Sequence, residues 1–469
     1  MDQSVVAVVL AAGKGTRMKS RRPKVLHEIA GKPLVSWSVD AVRAAGCSDV
    51  VVVVGHGSEA VAALLDKRHP GVRSAIQSEQ KGTGHAVMMA LPSIPAGADV
   101  VVVVCGDTPR ISADAIAALV KAKGTSPMAL WTTQLKEPRG YGRIVRGASS
   151  DGGDISAIVE EKDATPAVLA ITEVNPGVYA FDVAFLRAQL PKLTTANAAG
   201  ELYLTDLVRL CVESGSNVAS VDVDAGITLG INDRVQLADA EDWARTEIQR
   251  RLLLAGVTLK NRATTSIEAD VVVGEDVVLE QGVSLRGSTR IGRGVIVGQG
   301  AVLTDTIVAD DVVIHPYSVC DKAVIGTAAV VGPFSRLRPE ADVGEGAHVG
   351  NFVELKKTKL GKGSKANHLA YLGDADIGAG VNVGAGTITC NYDGIGKHKT
   401  VLSDGVFVGS NATLVAPLLV GKDAYIAAGS VVTDAVPDDA VAFGRARQTN
   451  KEGHAKAVRE KNAERKKKG

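Results

Sequence analysis

The run Leu10-Ala11-Ala12-Gly13-Lys14-Gly15-Thr16-Arg17-Met18, followed shortly by Pro23-Lys24, combines small residues and glycines with cations. Such a run lets backbone N–H groups approach phosphate oxygens as an anion-binding nest. Arg17 and Lys24 then supply charge to neutralise a triphosphate and the charge that develops during phosphoryl transfer. Asp107 follows Gly106 at the end of the apolar run 100–105. A carboxylate at such an edge can hold Mg2+ against phosphate oxygens; taken alone, it reads equally as the cap of a turn or of the next helix. A second group lies far downstream: Arg338, Lys356, His368, Tyr371, Asn382, Asn391, Tyr392 and Arg445. The surrounding repeat has no geometric need for them. Of these, His368 is the natural general base near neutrality. Arg338 and Lys356 are suited to grip a phosphate, one as a bidentate fork and the other as a point charge.

The elements that must carry these residues are written in two patterns. Up to about residue 233, short β-branched runs at 5–10, 50–54 and 100–104 alternate with helix-like stretches at 34–45, 59–65 and 84–91. Strands apolar on both faces with helices between them predict a parallel, doubly wound sheet. Ligands in such sheets sit at the carboxyl ends of strands, which makes Gly13-Lys14-Gly15, Gly55-His56-Gly57 and Gly106-Asp107 the candidate loops. Residues 235–254 contain neither Gly nor Pro and read as a helical arm, about 30 Å long at 1.5 Å per residue.

Beyond Gly256 an aliphatic residue followed by Gly recurs, as at Val273-Gly274, Ile291-Gly292, Val297-Gly298, Ile325-Gly326 and Val331-Gly332, and continues to Val420-Gly421. Most spacings are six or its multiples. A hexad is one short strand and a turn, and three hexads close one coil of a parallel β-helix. The expected domains are therefore 1–233, a linker at 234–255, a β-helix at 256–445, and a polar, basic, solvated and partly unstructured tail at 446–469.

Composition narrows the function classes. The 469 residues include 51 glycines but only 3% aromatics, and the net charge is +1. No whole-protein field points to nucleic acid or membrane, so anionic substrates must meet local clusters. Met1-Asp2-Gln3-Ser4 lacks the basic start of a signal peptide. The apolar run 5–12 is far too short to span a bilayer. Five scattered cysteines with no CxxC pattern suggest a reducing compartment, hence the cytoplasm.

The Gly-rich loop with Pro23-Lys24 resembles the signature loop of sugar-nucleotide pyrophosphorylases. The hexads resemble the left-handed β-helix of hexapeptide acyltransferases, an exception to right-handed crossovers. With the runs Glu354-Leu355-Lys356-Lys357, Asn367-His368-Leu369-Ala370-Tyr371 and Ile388-Thr389-Cys390-Asn391-Tyr392-Asp393-Gly394, nearly the whole chain resembles one bacterial family. These are the bifunctional N-acetylglucosamine-1-phosphate uridylyltransferase/glucosamine-1-phosphate N-acetyltransferases.

The resemblance implies that acetyl-CoA acetylates glucosamine-1-phosphate, and that UTP with Mg2+ then converts N-acetylglucosamine-1-phosphate to UDP-N-acetylglucosamine and pyrophosphate. It implies a homotrimer with active sites between neighbouring prisms. Leu10, Ala11, Ala12, Gly13, Lys24, Gln77, Gly82, Thr83, Gly106 and Asp107 would bind the nucleotide. Gly142, Glu160 and Asn175 would hold the sugar, and Asn232 would share the metal with Asp107. Arg17 and Lys24 would be catalytic in uridylyl transfer, and His368 in acetyl transfer. Arg338, Lys356, Tyr371 and Asn382 would hold glucosamine-1-phosphate. Ala385, Ser410, Ala428 and Arg445 would line the acetyl-CoA groove, and the Asn391-Tyr392 turn would face the thioester carbonyl. Three positions depart from the family pattern: Pro176 after Asn175 removes an N–H, Arg110 replaces an apolar residue, and Asn367 replaces the Gly before His368.

Two rival readings remain. In one, a pyrophosphorylase with a single activity carries a β-helix only for oligomerisation or regulation, which leaves His368, Tyr371 and the 391–394 insertion unexplained. In the other, a non-catalytic assembly subunit would show an eroded Gly-rich loop.

Overall fold

The computed structural model describes residues 3–147 and 153–468; Met1 and Asp2 of the N-terminal reading and Gly469 of the tail lie outside them. The chain divides into two compact units, Met1–Glu247 and Ile248–Gly469.

In the first unit the valine runs become the centre of a sheet. Strands Arg73–Ile76, Asp49–Val54, Val5–Ala11 and Val100–Cys105 lie side by side in that order, all parallel. Their uniform apolarity follows from burial on both faces. Val6, Val8, Val51, Val53, Val101 and Val103 enter one core, while Ala7, Val9, Val50, Val52, Val102 and Val104 enter the other. Successive residues of a strand point to opposite faces, so a strand covered twice needs no polar alternation.

The parallel sheet expected from these runs continues in mixed direction beyond Val100–Cys105. The next strand, Tyr179–Asp182, runs antiparallel to it and to Met128–Gln134. Glu173–Asn175, Gly142–Arg146 and Ile155–Val159 then extend the sheet through antiparallel pairs. These outer strands are shorter or carry polar residues such as Arg143 and Arg146. Helices Leu34–Ala44, Ser58–Arg68 and Thr83–Ala90 lie near the expected places.

Helix Arg234–Leu254 is 21 residues long, and the boundary between the two units falls within it. In the second unit, strands of two to four residues stack into three parallel sheets, each taking every third strand. Register partners therefore stand one full coil apart: Val278 pairs with Ile296, Ile296 with Val313 and Val313 with Val330. Leu279, Leu285, Val297, Leu303, Ile314 and Val331 fill the interior, each fully buried. One step is longer than the rest. Lys365 pairs with Asn382 at the ordinary spacing, but Asn382 then pairs with Phe407. The extra length is extruded as a loop at 391–398. In the tail, His454–Lys468 forms a helix, all of it exposed.

Candidate active sites

Gly15 takes the left-handed conformation (φ 60°) that opens the turn Thr16–Met18. A Cβ there would lie 2.6 Å from the Cβ of Lys24, so the glycine lets the Lys24 turn pack against the loop. Lys24 Nζ forms an ion pair with Asp107 and lies 3.3 Å from Asn232 Oδ1. Backbone bonds fix the three segments: Gly106 N donates to Leu10 O at 2.9 Å, and Ile231 N donates to Asp107 O at 2.9 Å. The ammonium thus sits where two hard oxygen donors converge. That donor set suits Mg2+, which takes one or two protein oxygens and completes its shell with phosphate and water.

Asp107 and Cys105 are shared by two clefts. The first, about 300 Å³, is lined by Leu10, Ala11, Ala12, Gly13, Lys24, Gln77, Gly82 and Thr83 among others. Gln77 is buried and its Nε2 donates to Gly82 O at 3.0 Å. Gly82 has φ 103°, and a Cβ there would lie 2.6 Å from the Leu202 carbonyl oxygen, so no other residue fits without moving that segment. The second cleft, about 400 Å³, is lined by Arg17, Asp107, Tyr141, Pro176, Gly230 and Asn232, with Arg110 and Arg139. Burial pushes the Cys105 thiol up to about 12, which makes it an inert wall residue.

Gly142, Glu160 and Asn175 line neither cleft but meet beside them. Asn175 pairs with Gly142 in the sheet, and a Cβ on Gly142 would lie 3.4 Å from Glu160 Oε1. The Asn175 amide is spent locally: it donates to Tyr179 Oη at 2.6 Å and accepts from Gly177 N at 3.1 Å. Pro176 therefore faces the second cleft while Asn175 points into the sheet. Burial raises the Glu160 carboxyl above its ordinary value, opposed by a 3.0 Å bond from the Thr205 hydroxyl. Arg110 has a physical account: its guanidinium lies over the Trp243 ring at 5.3 Å and donates to Asp239 O at 3.3 Å.

In the second unit His368 ends strand Lys365–His368, and its Nδ1 lies 2.9 Å from Asn351 Oδ1. An amide oxygen accepts, so Nδ1 carries the proton and Nε2 is left free to take one. Asn351 is the register partner of His368, one coil earlier. Both line a cleft of about 240 Å³ with His348, Gly350 and Asn367. Asn367 is not among the left-handed residues, so the position has no need of glycine.

On the adjoining sheet, Lys356 Nζ lies 4.0 Å from Asp374 Oδ2, and Asn391 Nδ2 donates to that same oxygen. Arg338 pairs with Glu354 at 2.9 Å. The 391–398 loop returns Lys397 to this cluster, where a hydrogen bond and the charge of Lys356 lower its ammonium from the ordinary value. Asp393 ties the loop, accepting from Ile395 N, Gly396 N and His398 Nε2 at 2.7–2.8 Å. Tyr392 is exposed and donates to Gly394 O at 2.6 Å. Tyr371 pairs with Glu354 in the ladder of this sheet, whereas Asn382 pairs with Lys365 on the histidine sheet.

Ala385, Ser410 and Ala428 precede the left-handed residues Gly386, Asn411 and Gly429 of successive coils. They form one column, joined by Asn411 N to Ala385 O at 2.7 Å and Gly429 N to Ser410 O at 2.8 Å. A Cβ on Gly429 would lie 3.7 Å from Arg445, which puts that cation at the end of the column. Sequence reasoning missed Asn351, Glu354, Asp374, Lys397 and Arg139. Asn351 and Asp374 each stand one coil before their partners His368 and Asn391, so stepping back one coil would have found both.

Residues 7–198 match the MobA-like NTP transferase domain, and residues 270–305 match the bacterial transferase hexapeptide (six repeats). The repeat carries the left-handed β-helix fold. A bifunctional protein GlmU of Sorangium cellulosum is 50% identical over 458 residues, covering 96% of each chain. One from Anaeromyxobacter dehalogenans (strain 2CP-C) is 50% identical over 469 residues, covering 99% of this chain and 95% of the relative. One from Koribacter versatilis is 44% identical over 471 residues, covering all of this chain and 99% of the relative. Identity at this level through both units makes the chain a member of the bifunctional GlmU family, enzymes that join a nucleotidyltransferase to a hexapeptide acyltransferase.

Proposed function

We propose that this enzyme makes UDP-N-acetylglucosamine in two steps, acetylating glucosamine-1-phosphate with acetyl-CoA and then transferring uridylyl from UTP to the product. The observation that carries the first-unit chemistry is the convergence of Lys24, Asp107 and Asn232 on the wall shared by two clefts. Asp107 and Asn232 would hold Mg2+, which supplies charge neutralisation to the triphosphate. Gln77 and Gly82 present an amide and an open backbone to the uracil. Lys24, released from Asp107, and Arg17 hold the phosphates, while Gly142 and Glu160 orient the sugar. The sugar phosphate oxygen attacks the α-phosphorus in line and pyrophosphate leaves, so positioning and electrostatics suffice.

In the second unit Asn351 holds Nδ1–H of His368, leaving Nε2 to accept the proton of the attacking amine. Lys356, Lys397 and Arg338 attract the sugar phosphate, and Tyr371 and Asn382 place the ring. The column Ala385–Ser410–Ala428 leaves room for the pantetheine arm, with Arg445 at a CoA phosphate. Backbone N–H groups of the Asn391-Tyr392 turn face the developing oxyanion.

We further infer a homotrimer, because exposed Tyr317, Phe334, Phe352 and Leu369 form an apolar ladder beside His368. A cytoplasmic setting accords with five free cysteines, and among the described residues no helix is long and apolar enough to cross a membrane. Functional domains at 1–233 and 256–445, joined by 234–255, complete the reading.

Paired assays test it. Asp107→Ala is expected to lower pyrophosphate release from UTP and N-acetylglucosamine-1-phosphate more than about 100-fold, leaving CoA release unchanged. His368→Ala is expected to do the converse, by about 100-fold or more. A wild type that releases pyrophosphate but no CoA from any amino-sugar phosphate would make the β-helix a scaffold.

A further inference from the structure

The cleft on the far side of Asp107 from the nucleotide pocket holds more positive charge than the proposed chemistry uses. Three guanidiniums line its space of about 400 Å³, those of Arg17, Arg110 and Arg139. Among the described residues, the side chains of Arg17 and Arg139 have no hydrogen-bond or ion-pair partner. Arg110 is the best placed of the three. The Trp243 ring covers one face and the Asp239 carbonyl takes one N–H, which fixes the fork and leaves further donors unused. On the acidic side, Asp107 is already paired with Lys24, and Asp239 is the other carboxylate of the lining. Arginines with unused donors gathered around one concave space form a site for a multiply charged oxyanion, because guanidinium forks match phosphate geometry.

We propose that this cleft is a product pocket in which Arg110 and Arg139 join Arg17 to hold inorganic pyrophosphate after it leaves the uridylyl group. The identity of the anion rests on the uridylyl transfer proposed above; the charge and shape of the pocket do not. In the uridylyl reading Lys24 and Arg17 hold the triphosphate of UTP, whereas Arg110 and Arg139 meet the leaving group only once it is free. Retained pyrophosphate then slows turnover as its concentration rises, and the degree of product inhibition is set by Arg110 and Arg139, which UTP itself does not touch.

The test is calorimetric titration of inorganic pyrophosphate into the full-length protein with EDTA present, so that Asp107 and Asn232 carry no metal. Wild type should bind. Arg110→Leu should weaken binding by about tenfold, as expected for losing a charged hydrogen bond. Arg139→Ser should weaken it by several-fold. Arg139 is exposed, so this variant keeps the test valid if Arg110→Leu fails to fold. In the forward assay the inhibition constant for pyrophosphate should rise by the same factors, while the KM for UTP stays within about twofold. Pyrophosphate binding that is unchanged in both variants, or an equal rise in the KM for UTP, overturns the proposal. A protein that binds pyrophosphate through these arginines yet makes no UDP-sugar would sink the uridylyl reading and leave the pocket standing.

Discussion

Glu160 shows how one side chain ties function to stability. Its carboxyl is held above the ordinary 4.5 chiefly by burial, with Asp163, Asp206 and Glu201 adding to the rise. Well below pH 4.5 both folded and unfolded chains keep the proton, so the group adds nothing to stability. As pH rises from there, the unfolded chain releases its proton first, and stability falls until the folded carboxyl has ionised too. Glu160→Gln removes this loss. The variant should match wild type near pH 4 and be the more stable of the two near pH 7.5, as read by the denaturant midpoint of the first unit. A gap that does not change with pH would remove burial as the cause. The same substitution should raise the KM for N-acetylglucosamine-1-phosphate by about tenfold, because the ionised carboxylate makes the stronger bond to a sugar hydroxyl. Residue identity made this glutamate a candidate, but its environment was not legible: Thr205, the hydrogen-bond donor, lies 45 positions away. The same holds for Arg110, whose partner Trp243 is carried on a helix that begins at Arg234.

At the scale of elements, legibility followed periodicity. The valine strands and the hexads could be read because a strand buried on both faces is apolar throughout and an inward residue recurs every sixth position. The antiparallel half of the sheet could not, since strands such as Glu173–Asn175 are very short and direction leaves no mark in composition. In the β-helix the sequence showed which residues were anomalous but not which touched. Contact there is set by the coil repeat, which lays Ile296 on Val278 and Val313 on Ile296. The 391–398 loop illustrates the point. It lengthens the step from Asn382 to Phe407 without breaking the ladder, since Phe407 pairs onward with Tyr425. Its own bonds, centred on Asp393, hold it together outside the stack. Excising residues 391–398 restores the ordinary coil length. The shortened chain should melt within a few degrees of wild type, because it loses an exposed loop and a single buried side chain, that of Asn391. Its CoA release should fall by more than about 100-fold, since Asn391, Tyr392 and Lys397 leave with the loop. Retained acetyl transfer would show that Lys356 and Arg338 bind the sugar phosphate unaided.

At the scale of the whole molecule, the second unit carries a surface that a lone prism has no reason to keep. Tyr317, Phe334, Phe352 and Leu369 occupy successive coils at one corner, all with φ between 49° and 59°. Left-handed backbone costs a bulky residue about 1–2 kcal/mol, and glycine fills the same corner at Gly300 and Gly386. The rings stack at 5.3 and 5.5 Å, yet each side chain stays about half exposed. Strain retained in order to present apolar surface is recovered when that surface is buried, at about 25 cal/mol per Å². A second and third copy are the fitting occupants, because a parallel prism can repeat the same ladder contact around a closed symmetry axis. Wild type should therefore sediment at about three times the 48.4 kDa chain mass. Phe334→Lys with Phe352→Lys should release single chains by placing cations where the ladders meet. Those chains should lose CoA release, because in the proposed trimer Leu369 sets the ladder beside His368 and a neighbour completes the acetyl-transfer cleft. Pyrophosphate release should persist within about twofold, since the Lys24–Asp107–Asn232 centre belongs to the first unit alone. A double variant that still sediments as a trimer would place the subunit contact on another face. One that dissociates yet acetylates at the wild-type rate would show that a single prism holds the complete site.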